Sequence, residues 1–195
     1  GSALEPGDRG QAVLRQGDAL RRAGHLDEAK PLLLEAAELR PEDPAPLRAL
    51  RDLHADKKEW TEVVRVLRER MEHAGDQERF DLLVEVGDVF LKELKDREKA
   101  SKSFVAALEI VPDDRNLLTK LMAVYSETKD WSRLVEVILR IAELIDEPAQ
   151  QAKYYLTAAS IARGELSRVD EAADYYAQAL ENDPSLEKAF AGLVA

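Results

Sequence analysis

The chain has 195 residues, of which 45% are hydrophobic and 34% are charged, so it is long enough to bury an apolar core as one domain or one repeat array. Its 39 acidic and 28 basic residues give a formal charge of -11, which argues against nucleic acid as the main partner because phosphate binding needs a basic surface. The absence of cysteine excludes disulfides, thiolate metal sites and cysteine nucleophiles.

Apolar residues recur at three- and four-residue spacing, the helical period, and no sustained period-two run is found, so the sequence predicts an all-α fold. The first predicted helix pair comprises "QAVLRQGDALRRA" and "DEAKPLLLEAAEL". Gly24 separates its two helices and Pro41 follows them. The second pair comprises "APLRALRDLHA" and "WTEVVRVLRERM", and it ends before Gly75.

Three further pairs follow, each closed by a proline that cannot extend a helix. The third comprises "DLLVEVGDVFLKEL" and "REKASKSFVAALEI" before Pro112, and the fourth comprises "LLTKLMAVYSET" and "WSRLVEVILRIA" before Pro148. The fifth comprises "YYLTAASIARGEL" and "DEAADYYAQAL" before Pro184, and "SLEKAFAGLVA" then begins one more amphipathic helix.

These elements predict a division of the chain into a lead-in, one repeat array and a final helix. We interpret residues 1–9 as a cloning scar and flexible lead-in, and 185–195 as a capping helix or the first helix of a truncated next repeat. The array over 10–184 comprises units 10–43, 44–76, 77–114, 115–147 and 148–184.

The second helices of the first, third and fifth units repeat one pattern of Ala, a bulky apolar residue, Ala and Pro. Small side chains let two antiparallel helices approach, a bulky residue one turn away fills the space beside the contact, and Pro ends the unit. These three copies lie 71 and 72 residues apart. Trp60 and Trp131 begin divergent copies midway between them, so the true repeat unit is half that interval. The recurring positions are Ala29, Ala100 and Ala172; Leu33, Phe104 and Tyr176; Ala36, Ala107 and Ala179; and Pro41, Pro112 and Pro184.

Small and large residues at these spacings, in units of roughly 34 residues, resemble the tetratricopeptide repeat. The resemblance covers about residues 10–184 and is poorest in the second unit, which has Arg70 and Gly75 where the pattern prefers Ala and Pro. It implies a right-handed α-solenoid of about five helix-turn-helix repeats plus a partial sixth helix pair, and a fragment of a longer array.

No motif with catalytic or metal-binding chemistry stands out from the helical pattern. The chain has no Gly-rich phosphate loop and no H-E-x-x-H, and its three histidines lack metal-ligand spacing. We therefore predict no catalytic, cofactor-binding or metal site. We expect His25, His54 and His73 to be ordinary surface or interface residues.

The resemblance implies that the first helices line a concave groove in which partners bind as extended peptides or helices. Asp18, Asp52 and Asp88 occupy equivalent places in three consecutive units. Stacked carboxylates repel one another unless they are compensated, so a basic partner segment would gain from docking there. In the alternative, Arg15, Arg48 and Lys92 neutralise the row. The predicted groove positions are Asp18, Arg48, Asp52, Val84, Asp88, Leu91, Thr119, Leu156 and Ser160.

The leading hypothesis is a non-catalytic protein-protein interaction module, a scaffold or adaptor, that binds a basic protein segment in its groove without a cofactor, nucleic acid or membrane insertion. One alternative is a structural solenoid that packs on neighbouring repeats or self-associates weakly through Phe190 and Leu193. Another is a regulatory domain of an attached enzyme. We expect a cytoplasmic location, with an extracytoplasmic bacterial setting as the alternative.

Overall fold

Eleven α-helices, joined by short turns, lie within residues 6–194, the part of the chain that the computed structural model describes, with side chains from Asp8 to Val194. No strand occurs in this range, so the predicted all-α fold is confirmed. The helices are α1 (Pro6–Arg22), α2 (Leu26–Leu39), α3 (Pro44–Asp56), α4 (Trp60–Met71), α5 (Asp76–Lys92), α6 (Arg97–Ile110), α7 (Arg115–Thr128), α8 (Trp131–Glu143), α9 (Pro148–Gly164), α10 (Val169–Asn182) and α11 (Glu187–Val194).

Two of the helices begin directly after an aspartate that caps them. Asp43 accepts a hydrogen bond from the backbone N–H of Ala45 at 2.9 Å before α3, and Asp114 accepts one from Leu117 at 2.8 Å before α7. Such caps satisfy N–H groups that have no partner within the helix. The predicted lead-in over 1–9 is helical from Pro6, and residues 1–5 lie outside the described residues.

The chain divides into two compact units after Ile110, with α1–α6 in the first and α7–α11 in the second. In the first unit each helix packs against the next one along the chain, and α1 also contacts α3. The helices of the second unit pack in the same sequential order, and α11 also contacts α9. Packing between sequence neighbours is the arrangement of an α-solenoid, as predicted.

The repeated Ala-bulky-Ala pattern lies in the core of both compact units. At Gly87 of α5, an added Cβ would lie 2.3 Å from Cε1 of Phe104 in α6, and at Gly17 of α1 it would lie 2.8 Å from Cδ2 of Leu33 in α2. The two helices of a pair therefore touch through a small residue set against a large one. All nine pattern residues are buried: Ala29, Leu33, Ala36, Ala100, Phe104, Ala107, Ala172, Tyr176 and Ala179.

His54 departs from the expectation of a surface or interface residue, because it is fully buried. Its Nδ1 lies 2.6 Å from Oε2 of Glu59, the residue just before α4, and this contact gives the buried ring a polar partner. The hydrogen bond from His54 is the main reason why the pKa of Glu59 is lowered. The prediction was wrong for His54, whereas His25 and His73 are exposed.

Within residues 6–194, no helix is long and apolar enough to cross a membrane. Over the same residues, no group of three or more His, Asp or Glu side chains is placed to hold a metal ion.

Candidate interaction face

A cleft of about 330 Å³ lies between α1 and α3, the first helices of the first two repeats. Leu14, Ala45 and Ala49 form its apolar floor. Its rim is charged, and we call this site the α1–α3 cleft. The rim residues are Arg15, Asp18, Arg21, Arg22, Arg48 and Asp52.

Asp18, the first member of the predicted carboxylate row, is paired with two arginines of its own helix. Nη2 of Arg21 lies 3.1 Å from Oδ1 of Asp18, and Nη2 of Arg22 lies 2.7 Å from Oδ2. Both arginines come within one helical turn of the aspartate, where side chains share a face. Both oxygens of the Asp18 carboxylate are therefore engaged.

Arg21 also connects α1 to α3. Its Nη1 donates a hydrogen bond to Oδ2 of Asp56 at 2.9 Å, and its Nη2 lies 3.9 Å from Oδ2 of Asp52. Burial acts to lower the pKa of Arg21, but its hydrogen bonds to Asp56 and Asp18 outweigh burial and raise it. One guanidinium group thus holds carboxylates of two first helices together.

Arg51 continues the connection from α3 to α5. Its Nη1 lies 2.8 Å from Oδ1 of Asp52, and its Nε lies 3.1 Å from Oε1 of Glu85 as an ion pair without hydrogen-bond geometry. Arg51 stands where the neighbouring units have Gly17 and Gly87. The replacement of this glycine by arginine is the sequence feature that could have indicated the link between α3 and α5, and the sequence analysis missed it.

A second cleft, of about 320 Å³, lies along α5, and we call it the α5 cleft. Four carboxylates and one ammonium group line it, and Nζ of Lys92 lies 3.4 Å from Oδ2 of Asp88. Its lining residues are Trp60, Asp81, Val84, Glu85, Asp88, Val89, Lys92 and Glu93. Because Glu85 also pairs with Arg51, a continuous set of ion pairs joins the α5 cleft to the α1–α3 cleft. Together the two clefts form what we call the first-helix face.

The structure brings most of the predicted groove positions of the first compact unit, α1–α6, onto this face. Asp18, Arg48 and Asp52 line the α1–α3 cleft, and Val84 and Asp88 line the α5 cleft, whereas Leu91 is partly buried on α5. The aspartate row is compensated, but mainly by Arg21, Arg22 and Arg51 instead of the predicted Arg15 and Arg48. Lys92 pairs with Asp88, as the alternative required, while Nη2 of Arg48 lies 3.7 Å from Oε1 of Glu78.

The remaining predicted positions belong to the second compact unit. Thr119 on α7 is exposed, and its hydroxyl donates to the backbone carbonyl of Arg115 at 2.8 Å. Ser160 on α9 is exposed and donates to the carbonyl of Leu156 at 2.8 Å. Leu156 packs against the core of this unit. The binding roles of these three residues stay predictions.

A larger cleft, of about 970 Å³, lies on the second-helix side, between α4 and the turn that joins α5 to α6. Val64 and Phe90 are buried beneath it. Arg65 at its rim pairs with glutamates of its own helix, and Lys99 pairs with Asp96 at 3.0 Å. We take the first-helix face as the better candidate site because its ion pairs link three successive first helices, whereas Arg65 and Lys99 pair only with residues close to them in sequence.

The first repeat and the helical fold have counterparts among known proteins. The family model for the tetratricopeptide repeat matches residues 10–43. No curated protein sequence matches the chain.

Several solved structures share the fold at low sequence identity. MamA (residues 41 to the end) from Desulfovibrio magneticus RS-1 is 20% identical, with 92% of this chain and 98% of that chain covered and a TM-score of 0.51. Another MamA crystal structure is 17% identical, with 91% and 93% covered and a TM-score of 0.53. A chain in the structure of Naa15/Naa10 bound to HypK-THB is 17% identical, with 95% of this chain but 34% of that chain covered and a TM-score of 0.61.

Proposed function

We propose that this chain, which belongs to the tetratricopeptide repeat family, is a non-catalytic protein-interaction module that holds a segment of a partner protein along its first-helix face. The observation that carries the proposal is the continuity of this face across three first helices. Asp18, Arg21 and Asp52 join α1 to α3, and Arg51 and Glu85 join α3 to α5. Side chains held in such a network lose little freedom when a ligand arrives, which favours binding.

The charge of the α5 cleft supports a partner segment that carries basic residues. Four carboxylates and one ammonium group, that of Lys92, line this cleft, so its lining is net negative, although Glu85 also pairs with Arg51. A Lys or Arg side chain of the partner would reduce the repulsion between these carboxylates. Trp60 and Val84 offer apolar surface to the aliphatic part of such a side chain.

Changing Asp18, Asp52 and Asp88 together to Asn tests this function. We expect binding of a basic peptide to weaken by roughly tenfold at low ionic strength, because the carboxylates are lost while Arg21, Arg22 and Lys92 remain. Fluorescence anisotropy with a labelled lysine-containing peptide, repeated at increasing salt, measures the effect.

The matched control changes Glu28, Glu42 and Glu109 to Gln. These three exposed residues lie outside the first-helix face, and their replacement alters the net charge by the same amount. We expect the control to bind like the unmodified chain. Equal affinity and equal salt dependence of the aspartate variant and the control would refute the proposed function.

A second candidate function is self-association through α11. Phe190 is 60% exposed and Val194 is 68% exposed, and Leu193 lies on the same short helix at 42%. Exposed apolar side chains grouped in this way are typical of an interaction surface.

Phe190→Glu combined with Leu193→Glu tests self-association. We expect the pair to lower the average mass seen in light scattering, because two carboxylates would have to be buried in the contact. Val105→Glu on α6, another exposed apolar position, is the control. A chain that is already monomeric, or whose mass does not change in the α11 variant, rules this candidate out.

A further inference from the structure

We infer that the α1–α3 cleft receives an acidic side chain of the bound segment, an inference that rests on the function proposed above. It differs from the sequence-based expectation, which assigned a basic partner residue to the whole aspartate row. The reason is the balance of charges in the cleft.

Arginines outnumber carboxylates in the α1–α3 cleft. Four guanidinium groups and two carboxylates line it. Counting Arg51, Asp56 and Glu78, which pair with lining residues, gives five guanidinium groups and four carboxylates, and Glu78 is shared with Arg70, so the cleft keeps an excess of positive charge. In a chain with a formal charge of -11, this cleft is a local site for an anion.

The excess lies on Arg15 and Arg48. Asp18 and Asp52 each have two arginine partners, drawn from Arg21, Arg22 and Arg51. Arg15 has no ion-pair partner among residues 8–194. Arg48 lies 3.7 Å from Oε1 of Glu78, but the same oxygen is 2.6 Å from Arg70, whose side chain is only 8% exposed. Glu78 therefore belongs mainly to Arg70, and Arg48 remains available.

The shape of the cleft suits a carboxylate on a short aliphatic stem. A guanidinium group donates N–H bonds in a fixed fork that fits a carboxylate, and such charge-assisted bonds are stronger than neutral ones. Leu14, Ala45 and Ala49 can cover the methylene groups of a Glu or Asp side chain. The volume of about 330 Å³ accommodates a side chain and part of its backbone.

The two clefts of the first-helix face therefore carry opposite charge, which sets the direction of the segment. Packed helices lie about 8–10 Å apart, and an extended chain advances about 3.3 Å per residue. An acidic residue over the α1–α3 cleft and a basic residue over α5 would then be separated by roughly four residues of extended chain. We assign the cleft to an internal side chain, and a peptide with a free C-terminal carboxylate distinguishes this assignment from binding of a chain end.

Synthetic peptides test the inference on the whole chain. The probe carries one Glu and, about four residues away, two Lys on a neutral background, with acetylated and amidated ends. Three comparison peptides are used. One replaces Glu with Gln, one has the charges in reverse order, and one has a free C-terminal carboxylate in place of the Glu. Anisotropy at low ionic strength should show the probe binding roughly five- to twentyfold more tightly than its Gln version.

The protein variant Arg15→Ala with Arg48→Ala should remove this advantage of Glu over Gln. The matched control is Arg68→Ala with Arg79→Ala, which removes two exposed arginines that lie outside the α1–α3 cleft and should leave the advantage intact.

Each outcome separates the inference from the proposed function. If Glu and Gln peptides bind equally, or if the Arg15 and Arg48 variant keeps the difference, the inference is wrong. If the free C-terminal carboxylate alone gives tight binding, the cleft binds a chain end and the side-chain assignment is wrong. Loss of lysine-dependent binding in the triple aspartate variant would still uphold the proposed function in both cases.

Discussion

Replacing Phe104 with Ala is expected to lower the free energy of unfolding by about 3–5 kcal/mol, the range for removing a buried aromatic side chain. Phe104 of α6 is fully buried, and its ring lies against Gly87 of α5, where even a Cβ would come within 2.3 Å of Cε1. The close approach of the two helices leaves little room for other side chains to move into the space. Urea unfolding followed by circular dichroism measures the change.

Val105→Ala on the same helix is the control for Phe104→Ala, because Val105 is 42% exposed. We expect it to stay within about 0.5 kcal/mol of the unmodified chain. Gly87→Ala should also destabilise the chain, and Phe104→Leu should relieve part of that loss when the two are combined, since the smaller side chain leaves room for the new Cβ. Similar stability of the Phe104 and Val105 variants would contradict the contact.

Ala107→Leu and Ala179→Leu are expected to destabilise the chain by about 1–3 kcal/mol each, because added methylene groups strain a packed core. Both alanines are fully buried, one in each compact unit. At each site the larger side chain would push the two helices of a pair apart. Thermal and urea unfolding of the two variants check the prediction in both units.

Ala19→Leu and Ala149→Leu make the same chemical change at exposed helical positions of the first and second units. We expect these controls, and Glu109→Ala on the exposed side of α6, to change stability by less than about 0.5 kcal/mol. If the chain tolerated Leu at Ala107 and Ala179 as well as at Ala19 and Ala149, the assigned packing positions would be wrong.

The sequence by itself determined the helices and the core positions. Helical periodicity and capping act over a few residues, so α4 and α8 begin at Trp60 and Trp131 as the pattern predicts. The small and large core residues recur at a fixed interval, so each copy supports the others. Pro31 shows the limit of a local rule, because proline is expected in the first turn of a helix but lies here in the second turn of α2.

Only the tertiary structure decided which charges meet and what sign each cleft carries. Arg21 pairs with Asp56, which is 35 residues away, and Arg51 reaches Glu85 on the next first helix. Long, flexible side chains choose among several oppositely charged neighbours, and sequence spacing alone does not specify that choice. For this reason the carboxylate row was visible in the sequence, whereas its compensation by arginine and the net positive charge of the α1–α3 cleft became visible only once the helices were packed.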